Sequence, residues 1–242
     1  MTRLIVGPAA RAAVTEQVNR VSSSAARRVL SCLLSLSVAM ALLVACGAPQ
    51  ATPSQVSPTQ TAPVTPNATA APTRVLFVGN SLTFVNDLPR IFAELARSGG
   101  HAVEVDMSAQ GGQTLAGHAA SPSTLEKTTG QSWNFVVLQE QSQNPAIAAQ
   151  RNEQMVPAVR LLDGEIVKNG ARTVLFVTWA GRDGLRSAGF ETYTAAQAGI
   201  EAGYLEVAGE IGAMVAPAGI AWQRALEQKP ELELWQRDGI HP

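Results

Sequence analysis

Residues 74–83 read RVLFVGNSLT and place a small polar turn directly behind an apolar run. The run Val75–Val78 is short, continuous and rich in β-branched residues, which is typical of a strand buried on both faces of a parallel sheet. Gly79-Asn80-Ser81 ends the run. Serine after a strand either caps the next helix or presents its hydroxyl to a ligand, so Ser81 has two interpretations at this point: N-cap or nucleophile.

Strands and helices alternate along the remainder of residues 74–242. Short apolar runs predict further strands at Asn134–Leu138, Thr173–Trp179 and Ala213–Ala216, and another strand fits Ala102–Met107. Apolar residues at helical spacing predict helices over roughly 88–96, 155–166, 192–211 and 221–228. This alternation predicts a three-layer α/β/α domain with a parallel sheet of about five strands. In such sheets, ligands bind outside the carboxyl ends of the strands.

The N-terminal part of the chain has a different character. Arg27-Arg28, an apolar stretch and LVAC at 43–46 predict a signal region over residues 1–45, with an over-extended start, rather than a membrane span. LVAC resembles a bacterial lipobox, which would make Cys46 a lipidated first residue of the mature chain; an ordinary signal peptide or a single-pass anchor is the alternative. Residues 46–73 have no charge and no aromatic side chain, which predicts a disordered tether. The expected location is extracytoplasmic, at a membrane.

Composition and absent motifs exclude several classes of function. The formal net charge is −1 and no basic face is apparent, so we expect no nucleic-acid partner. The sequence has no Walker loop, GxGxxG, HExxH or paired CxxC, which argues against nucleotide, dinucleotide and zinc chemistry. We expect neither a metal nor an organic cofactor. Because Cys32 would leave with the signal and Cys46 would carry lipid, no disulfide framework is expected.

The domain contains three histidines that could serve as the base of a serine nucleophile. His101 follows a glycine turn at the wrong end of the predicted sheet, which indicates a surface residue. His118 lies nearer the crevice, as a solvated loop residue or a substrate contact. His241 lies in RDGIHP, three residues after Asp238, where a glycine bend would let the carboxylate face Nδ1 and leave Nε2 for the serine.

Four blocks now stand in order along the domain: FVGNSLT at 77–83, SAQGGQTL at 108–115, VVLQEQS at 136–142 and DGIHP at 238–242. Together they resemble the SGNH (GDSL-type) hydrolases, most closely the branch with G-N-S in its first block and L-Q-E-Q-S in its third. The resemblance spans essentially all of residues 74–242. It implies a flavodoxin-like three-layer fold and a serine hydrolase.

The resemblance also implies a catalytic triad. Ser81 would be the nucleophile, His241 the general base and Asp238 the acid that orients it. The chain stops one residue after His241, whereas members of the family usually continue into a closing helix. We therefore expect either a fragment or a histidine on a frayed terminus.

The implied oxyanion hole contains three donors. Two are backbone N–H groups, those of Ser81 and of Gly112, with Gly111 as the alternative to Gly112. The third is a side-chain amide, for which Gln141, or else Gln139, replaces the asparagine of the family. A glutamine amide offers the same N–H donor on a longer arm.

These features predict a serine esterase that acts on a small-molecule or carbohydrate ester, by analogy an O-acetyl group on carbohydrate. The alternative is a non-catalytic surface lipoprotein that binds a glycan or peptide in the same crevice. Two further residues keep two interpretations each. Glu140 is a solvated strand-end acid or a substrate contact, and Trp179 is a packing residue or a sugar platform.

Overall fold

The structure is a computed structural model that describes residues 71–242. The predicted signal region, Cys46 and nearly all of the predicted tether lie outside the described residues. Within residues 71–242, no helix is both long and apolar enough to cross a membrane.

A parallel sheet forms the centre of the described part of the chain. Its strands are β1 (Thr73–Gly79), β2 (Val103–Ala109), β3 (Phe135–Leu138), β4 (Arg172–Phe176) and β5 (Met214–Ala216). Their order is β2-β1-β3-β4-β5, and every neighbouring pair is parallel. This is the flavodoxin-like order, and the predicted fold class is confirmed. The order reverses between β1 and β3, which places a crevice beyond the carboxyl ends of these two strands.

The four predicted helices are present, together with four shorter ones that the sequence analysis does not predict. They are α1 (Ser81–Phe84), α2 (Leu88–Ser98), α3 (Leu115–Ala119), α4 (Pro122–Thr129), α5 (Ala148–Gln150), α6 (Val156–Lys168), α7 (Tyr193–Ile211) and α8 (Ala218–Gln228). One π-helical turn, Arg151–Met155, joins α5 to α6, and a 3₁₀ turn spans Arg186–Ala188.

Two cores cover the two faces of the sheet. Leu76 and Leu138 point to one face, where they pack with buried residues of α6 and α7. Phe77 and Val137 point to the other, where they pack with Trp179 and with partly buried residues of α2 and α8. Because successive strand residues alternate between faces, the apolar run of β1 fills both cores.

The fourth strand is shorter than predicted. Pairing of β4 with β5 ends at Phe176 opposite Ala216, although the apolar pattern predicts a strand as far as Trp179. Pro217 follows Ala216 and has no N–H to continue the ladder. The residues after Phe176 remain buried but leave the sheet, and they carry Trp179 toward the crevice.

Two glycines in α7 have different surroundings. Gly203 is buried, and a Cβ atom built on it would lie 1.9 Å from the carbonyl oxygen of Pro145, in the segment after β3. A Cβ atom on Gly209 would meet no atom within 4 Å. The absence of a side chain at Gly203 thus lets the β3 loop pack directly on the helix.

We predict that Gly203→Ala lowers the free energy of unfolding by at least about 2 kcal/mol, because the new methyl group has no room beside Pro145. The matched control is Gly209→Ala in the same helix, which should raise stability by about 1 kcal/mol or less through helix propensity alone. Urea unfolding of both variants measures the contrast. Equal effects would show that the close approach at Gly203 does not constrain the fold.

Candidate active site

Asn80, not Ser81, caps the short helix α1. The Leu82 N–H donates to Asn80 Oδ1 at 3.1 Å, and Asn80 Nδ2 donates to the Gln113 carbonyl at 2.9 Å. Ser81 is the first residue of the helix, and in the described part of the chain neither its Oγ nor its N–H takes part in a hydrogen bond. Of the two interpretations of Ser81, the N-cap is therefore wrong, and the hydroxyl is available for a ligand.

Gln139 joins the ends of β1 and β3. Its side chain is 1% exposed, and Oε1 accepts from Asn80 N–H and from the Thr83 hydroxyl, both at 2.9 Å. Its Nε2 donates to the Glu140 carbonyl oxygen. A Cβ atom on Gly79 would lie 2.5 Å from Gln139 Oε1, so the glycine makes room for this amide. Gln139 is thus engaged inside the turn, which favours Gln141 over it as an oxyanion donor.

His118 is neither a solvated residue nor a substrate contact; both expectations are wrong. It is 2% exposed, with Nε2 2.7 Å from the Gly79 carbonyl oxygen and Nδ1 3.0 Å from Thr124 Oγ1. The carbonyl can only accept, so Nε2 carries the proton and donates. Burial lowers the pKa of His118, although the bond to Gly79 opposes that shift. A neutral imidazole therefore supports the turn that carries Ser81, a role without a sequence signal.

His241 and Asp238 form the predicted acid–imidazole pair. Asp238 Oδ2 lies 2.6 Å from His241 Nδ1, while Oδ1 accepts the N–H groups of Ile240 at 2.9 Å and of His241 at 3.0 Å. Gly239 has φ +69°, the left-handed conformation that this turn requires. The bond from His241, followed by the two backbone N–H groups, lowers the pKa of Asp238 to about 2. The carboxylate is therefore ionised at every pH at which a histidine can act as a base.

The segment that carries His241 is held by hydrogen bonds on several sides. Trp179 Nε1 donates to the Ile240 carbonyl at 2.8 Å, and Arg182 N–H donates to the Gly239 carbonyl at 2.8 Å. Asn86 Nδ2, in the loop after α1, donates to the Pro242 carbonyl at 2.7 Å. The expected fraying is therefore not observed at His241.

Within residues 71–242, no hydrogen bond joins Ser81 to His241. His241 Nε2 is buried and has no partner in that part of the chain. A cavity of about 80 Å³ is lined by neither residue, but by the residues next to them in the sequence. Its wall includes Leu82, directly after Ser81, and Ile240, directly before His241. The other lining residues are Ser142, Gln143, Trp179, Ala180, Gly181, Gly184, Leu185, Ala196 and Ile200.

Besides Ser81, the predicted oxyanion donors lie in the segments that follow β2 and β3. Gly111 and Gly112 are exposed, Gly112 has φ +68°, and neither N–H is hydrogen-bonded within the described residues. Gln141 Oε1 accepts from Gln143 N–H at 2.9 Å, which fixes the amide plane. Its Nε2 makes only a long contact of 3.4 Å with Ser142 Oγ. The Gln141 amide therefore keeps donor capacity for a ligand.

Glu140 is fully buried, so its interpretation as a solvated acid is wrong. Oε1 accepts from Gln141 N–H at 2.6 Å, Leu115 N–H at 3.2 Å and Asn144 Nδ2 at 3.3 Å. Oε2 has no partner in the described part of the chain. Burial raises the pKa of Glu140 to about 6, against the lowering effect of the three donors.

Trp179 belongs mainly to the packing beneath the crevice. It is 6% exposed and stacks on Trp222, with ring centroids 4.6 Å apart and planes 12° apart. Trp235 packs beside Trp222 and donates from Nε1 to the Ala180 carbonyl at 3.1 Å. This cluster supports the loop after β4, which in turn holds the His241 segment.

Solved structures provide the comparison with known proteins; no protein-family model and no curated protein sequence matches the chain. A protein from Slackia heliotrinireducens, described as a candidate SGNH hydrolase, superposes with a TM-score of 0.59 at 28% identity, over 71% of this chain and 90% of its own. A DUF4886 family protein from Bacteroides uniformis superposes with a TM-score of 0.55 at 18% identity, over 70% of this chain and 75% of its own. AlinE4, an SGNH-hydrolase family esterase, superposes with a TM-score of 0.50 at 17% identity, over 71% of this chain and 86% of its own. Residues 71–242 therefore have the α/β fold of the SGNH hydrolases.

The raised pKa of Glu140 predicts a pH-dependent stability. Its pKa of about 6 in the folded protein exceeds the reference value of 4.5 that applies to the unfolded chain. Between these two pH values the folded state therefore binds more protons than the unfolded state. Stability from this group is present at acidic pH and falls, by about 2 kcal/mol in all, as the pH rises from 4 to 7. Glutamine does not titrate, so the free energy of unfolding of Glu140→Gln, relative to that of the wild type, should rise by about 2 kcal/mol between pH 4 and pH 7. Urea unfolding at pH 4 and pH 7 tests this, and a constant difference between the two proteins would contradict it.

Proposed function

We propose that this chain is a serine esterase of the SGNH type that cleaves short-chain acyl esters. The observation that carries the proposal is the Asp238–His241 pair at 2.6 Å, which leaves a buried Nε2 with no partner within residues 71–242. Two further observations support it: the Ser81 hydroxyl makes no hydrogen bond within residues 71–242, and one cavity is lined both by Leu82, next to Ser81, and by Ile240, next to His241. Structural similarity to SGNH hydrolases and to an esterase supports the class of reaction.

In the proposed reaction, Ser81 Oγ attacks the carbonyl carbon of the ester while His241 Nε2 takes the hydroxyl proton. Asp238 stabilises the imidazolium that forms. The tetrahedral intermediate collapses, the C–O bond to the alcohol breaks, and His241 returns the proton to the leaving oxygen. Water then attacks the acyl-enzyme by the same route, releasing the carboxylic acid and restoring Ser81.

Negative charge on the tetrahedral oxygen needs hydrogen-bond donors. The Ser81 and Gly112 N–H groups and the Gln141 amide supply them in this proposal, because each retains donor capacity; Gly111 is the alternative to Gly112. One such donor contributes about 100- to 1,000-fold in rate.

The size of the cavity favours a short acyl group. A volume of about 80 Å³ has room for on the order of five to eight water-sized groups, since one water needs roughly 10–15 Å³ by the same measure. Leu185 and Ile200 form part of the apolar wall. Acetyl to butyryl groups would fit, whereas a longer chain would have to displace these side chains.

We further propose that the alcohol portion is a carbohydrate or another small molecule and that lipid on Cys46 tethers the enzyme outside the cytoplasm. The sequence features around residues 43–46 support the anchor. No cofactor takes part in the proposed reaction.

We predict that Ser81→Ala abolishes hydrolysis of p-nitrophenyl acetate and labelling by a fluorophosphonate probe, because both require the Oγ nucleophile. Ser123→Ala, at an exposed serine in α4, is the matched control and should retain both. Steady-state kinetics and gel fluorescence provide the measurements.

Activity that persists in Ser81→Ala would overturn the triad. An unlabelled and inactive wild-type protein that binds a glycan or peptide equally well with and without Ser81 Oγ would instead favour the non-catalytic lipoprotein.

A second prediction concerns chain length. We expect the wild type to favour p-nitrophenyl acetate over the octanoate by at least about tenfold in kcat/KM, and Leu185→Ala to shift this ratio toward octanoate by about tenfold, because one missing side chain opens the cavity. Leu205→Ala, at an exposed leucine of α7, should leave the ratio unchanged. If Leu185→Ala and Leu205→Ala give the same chain-length profile, the cavity does not bind the acyl chain.

A further inference from the structure

The carboxylate of Glu140 joins two segments of the proposed oxyanion hole. Its Oε1 accepts the Gln141 N–H at 2.6 Å in the segment after β3, and the Leu115 N–H at 3.2 Å in the segment after the glycine turn. Gln141 carries the proposed amide donor, and Leu115 lies three residues after the proposed donor Gly112. One oxygen atom thus holds together two segments that are distant in sequence.

The free-energy cost of burying this carboxylate indicates that Glu140 does more than fill space in the core. The side chain is fully buried, and no lysine or arginine in the described part of the chain pairs with it. The titratable group that faces it is the Tyr204 phenol of α7, whose oxygen accepts the Glu140 N–H at 2.9 Å. An ionised carboxylate without a cationic partner is costly in a protein interior, whereas an apolar side chain of similar size would fill the volume without that cost.

A carboxylate performs this bridging better than a neutral group. An ionised oxygen accepts several N–H bonds at once, and such charge-assisted bonds are about twice as strong as neutral ones. Asn144 Nδ2 adds a third donor to the same atom at 3.3 Å. The two segments are therefore tied most firmly when Glu140 is ionised.

We propose that Glu140 is a positioning residue that holds the Gln141 and Gly112 donors at the separation that an oxyanion requires, an inference that rests on the proposed esterase function. It does not touch the substrate. It acts through the backbone of Gln141 and the start of α3.

The proposed role of Glu140 predicts a particular pH dependence of the reaction. His241 must be deprotonated to act as a base, and Glu140 must be deprotonated to hold the two segments together. Two required deprotonations give a slope of 2 in log(kcat/KM) against pH on the acidic side, whereas one gives a slope of 1. Burial raises the pKa of Glu140 to about 6, so its protonation falls within the measurable range.

The test compares the wild type with Glu140→Gln and Glu140→Ala, and uses Glu126→Gln, at an exposed glutamate of α4, as the matched control. In Glu140→Gln, kcat for p-nitrophenyl acetate should fall about 10- to 100-fold with KM nearly unchanged, since displaced donors affect mainly the transition state. Its acidic slope should fall from 2 to 1. Glu126→Gln should keep the wild-type kcat and slope.

Hydrogen–deuterium exchange measures whether Glu140 holds the two segments together, and it does not depend on enzyme activity. In Glu140→Ala, residues 110–118 and residues 139–144 should both exchange faster than in the wild type, while α6 keeps its protection. Unchanged exchange in either segment would overturn the inference, as would a slope of 2 or an undiminished kcat in Glu140→Gln.

A wild-type protein that neither hydrolyses the ester nor reacts with the fluorophosphonate overturns the proposed function instead. In that case, the exchange measurement still decides whether Glu140 ties the two segments together.

Discussion

The hydrogen bond from the Asn80 N–H to Gln139 Oε1 is the contact on which the geometry of the site depends. It crosses the point where the strand order reverses and joins the end of β1 to the end of β3. Gly79 provides the space for it, and the Thr83 hydroxyl donates to the same oxygen. With the backbone of Asn80 fixed from one side and its side chain bonded to Leu82 and Gln113, Ser81 has little freedom to move. A buried polar group whose hydrogen bonds are all made specifies one conformation more strongly than apolar packing would.

The turn that carries Asp238 and His241 is held separately, through Trp179. The Trp179 ring stacks on Trp222 beneath the crevice, and its Nε1 holds the Ile240 carbonyl. β4 ends at Phe176, and three residues later the Trp179 indole donates to the segment that carries His241. A large aromatic residue at a strand end provides both buried area and one directed donor, which suits it to hold a turn with few apolar residues of its own.

Much of this arrangement follows from patterns in the sequence, and the remainder does not. Most of the strands are predictable because they are short apolar runs, and the Asp238–His241 pair is predictable because three residues and one glycine fix its geometry locally. The role of His118 is not predictable, since its partner Gly79 is 39 residues away and a carbonyl carries no side-chain signal. Glu140 shows the same limit: its charge predicts solvent exposure, whereas tertiary packing buries it completely. Helices α3 and α4 follow polar caps at Thr114 and Ser121 rather than an apolar period, so periodicity alone misses them.

Asp238 and Glu140 show how burial decides what a carboxylate does. Each accepts three N–H bonds, yet the pKa of Asp238 is lowered to about 2 and that of Glu140 is raised to about 6. Asp238 is partly exposed, so its charge keeps most of its hydration and the donors act almost unopposed. Glu140 has lost its hydration entirely, and its donors offset only part of that loss. The exposed carboxylate is therefore a fixed charge beside the imidazole at any pH where the imidazole is neutral, whereas the buried one changes its charge close to neutrality. Two carboxylates separated in this way can perform different tasks in one site, one orienting a base and the other holding the backbone around it.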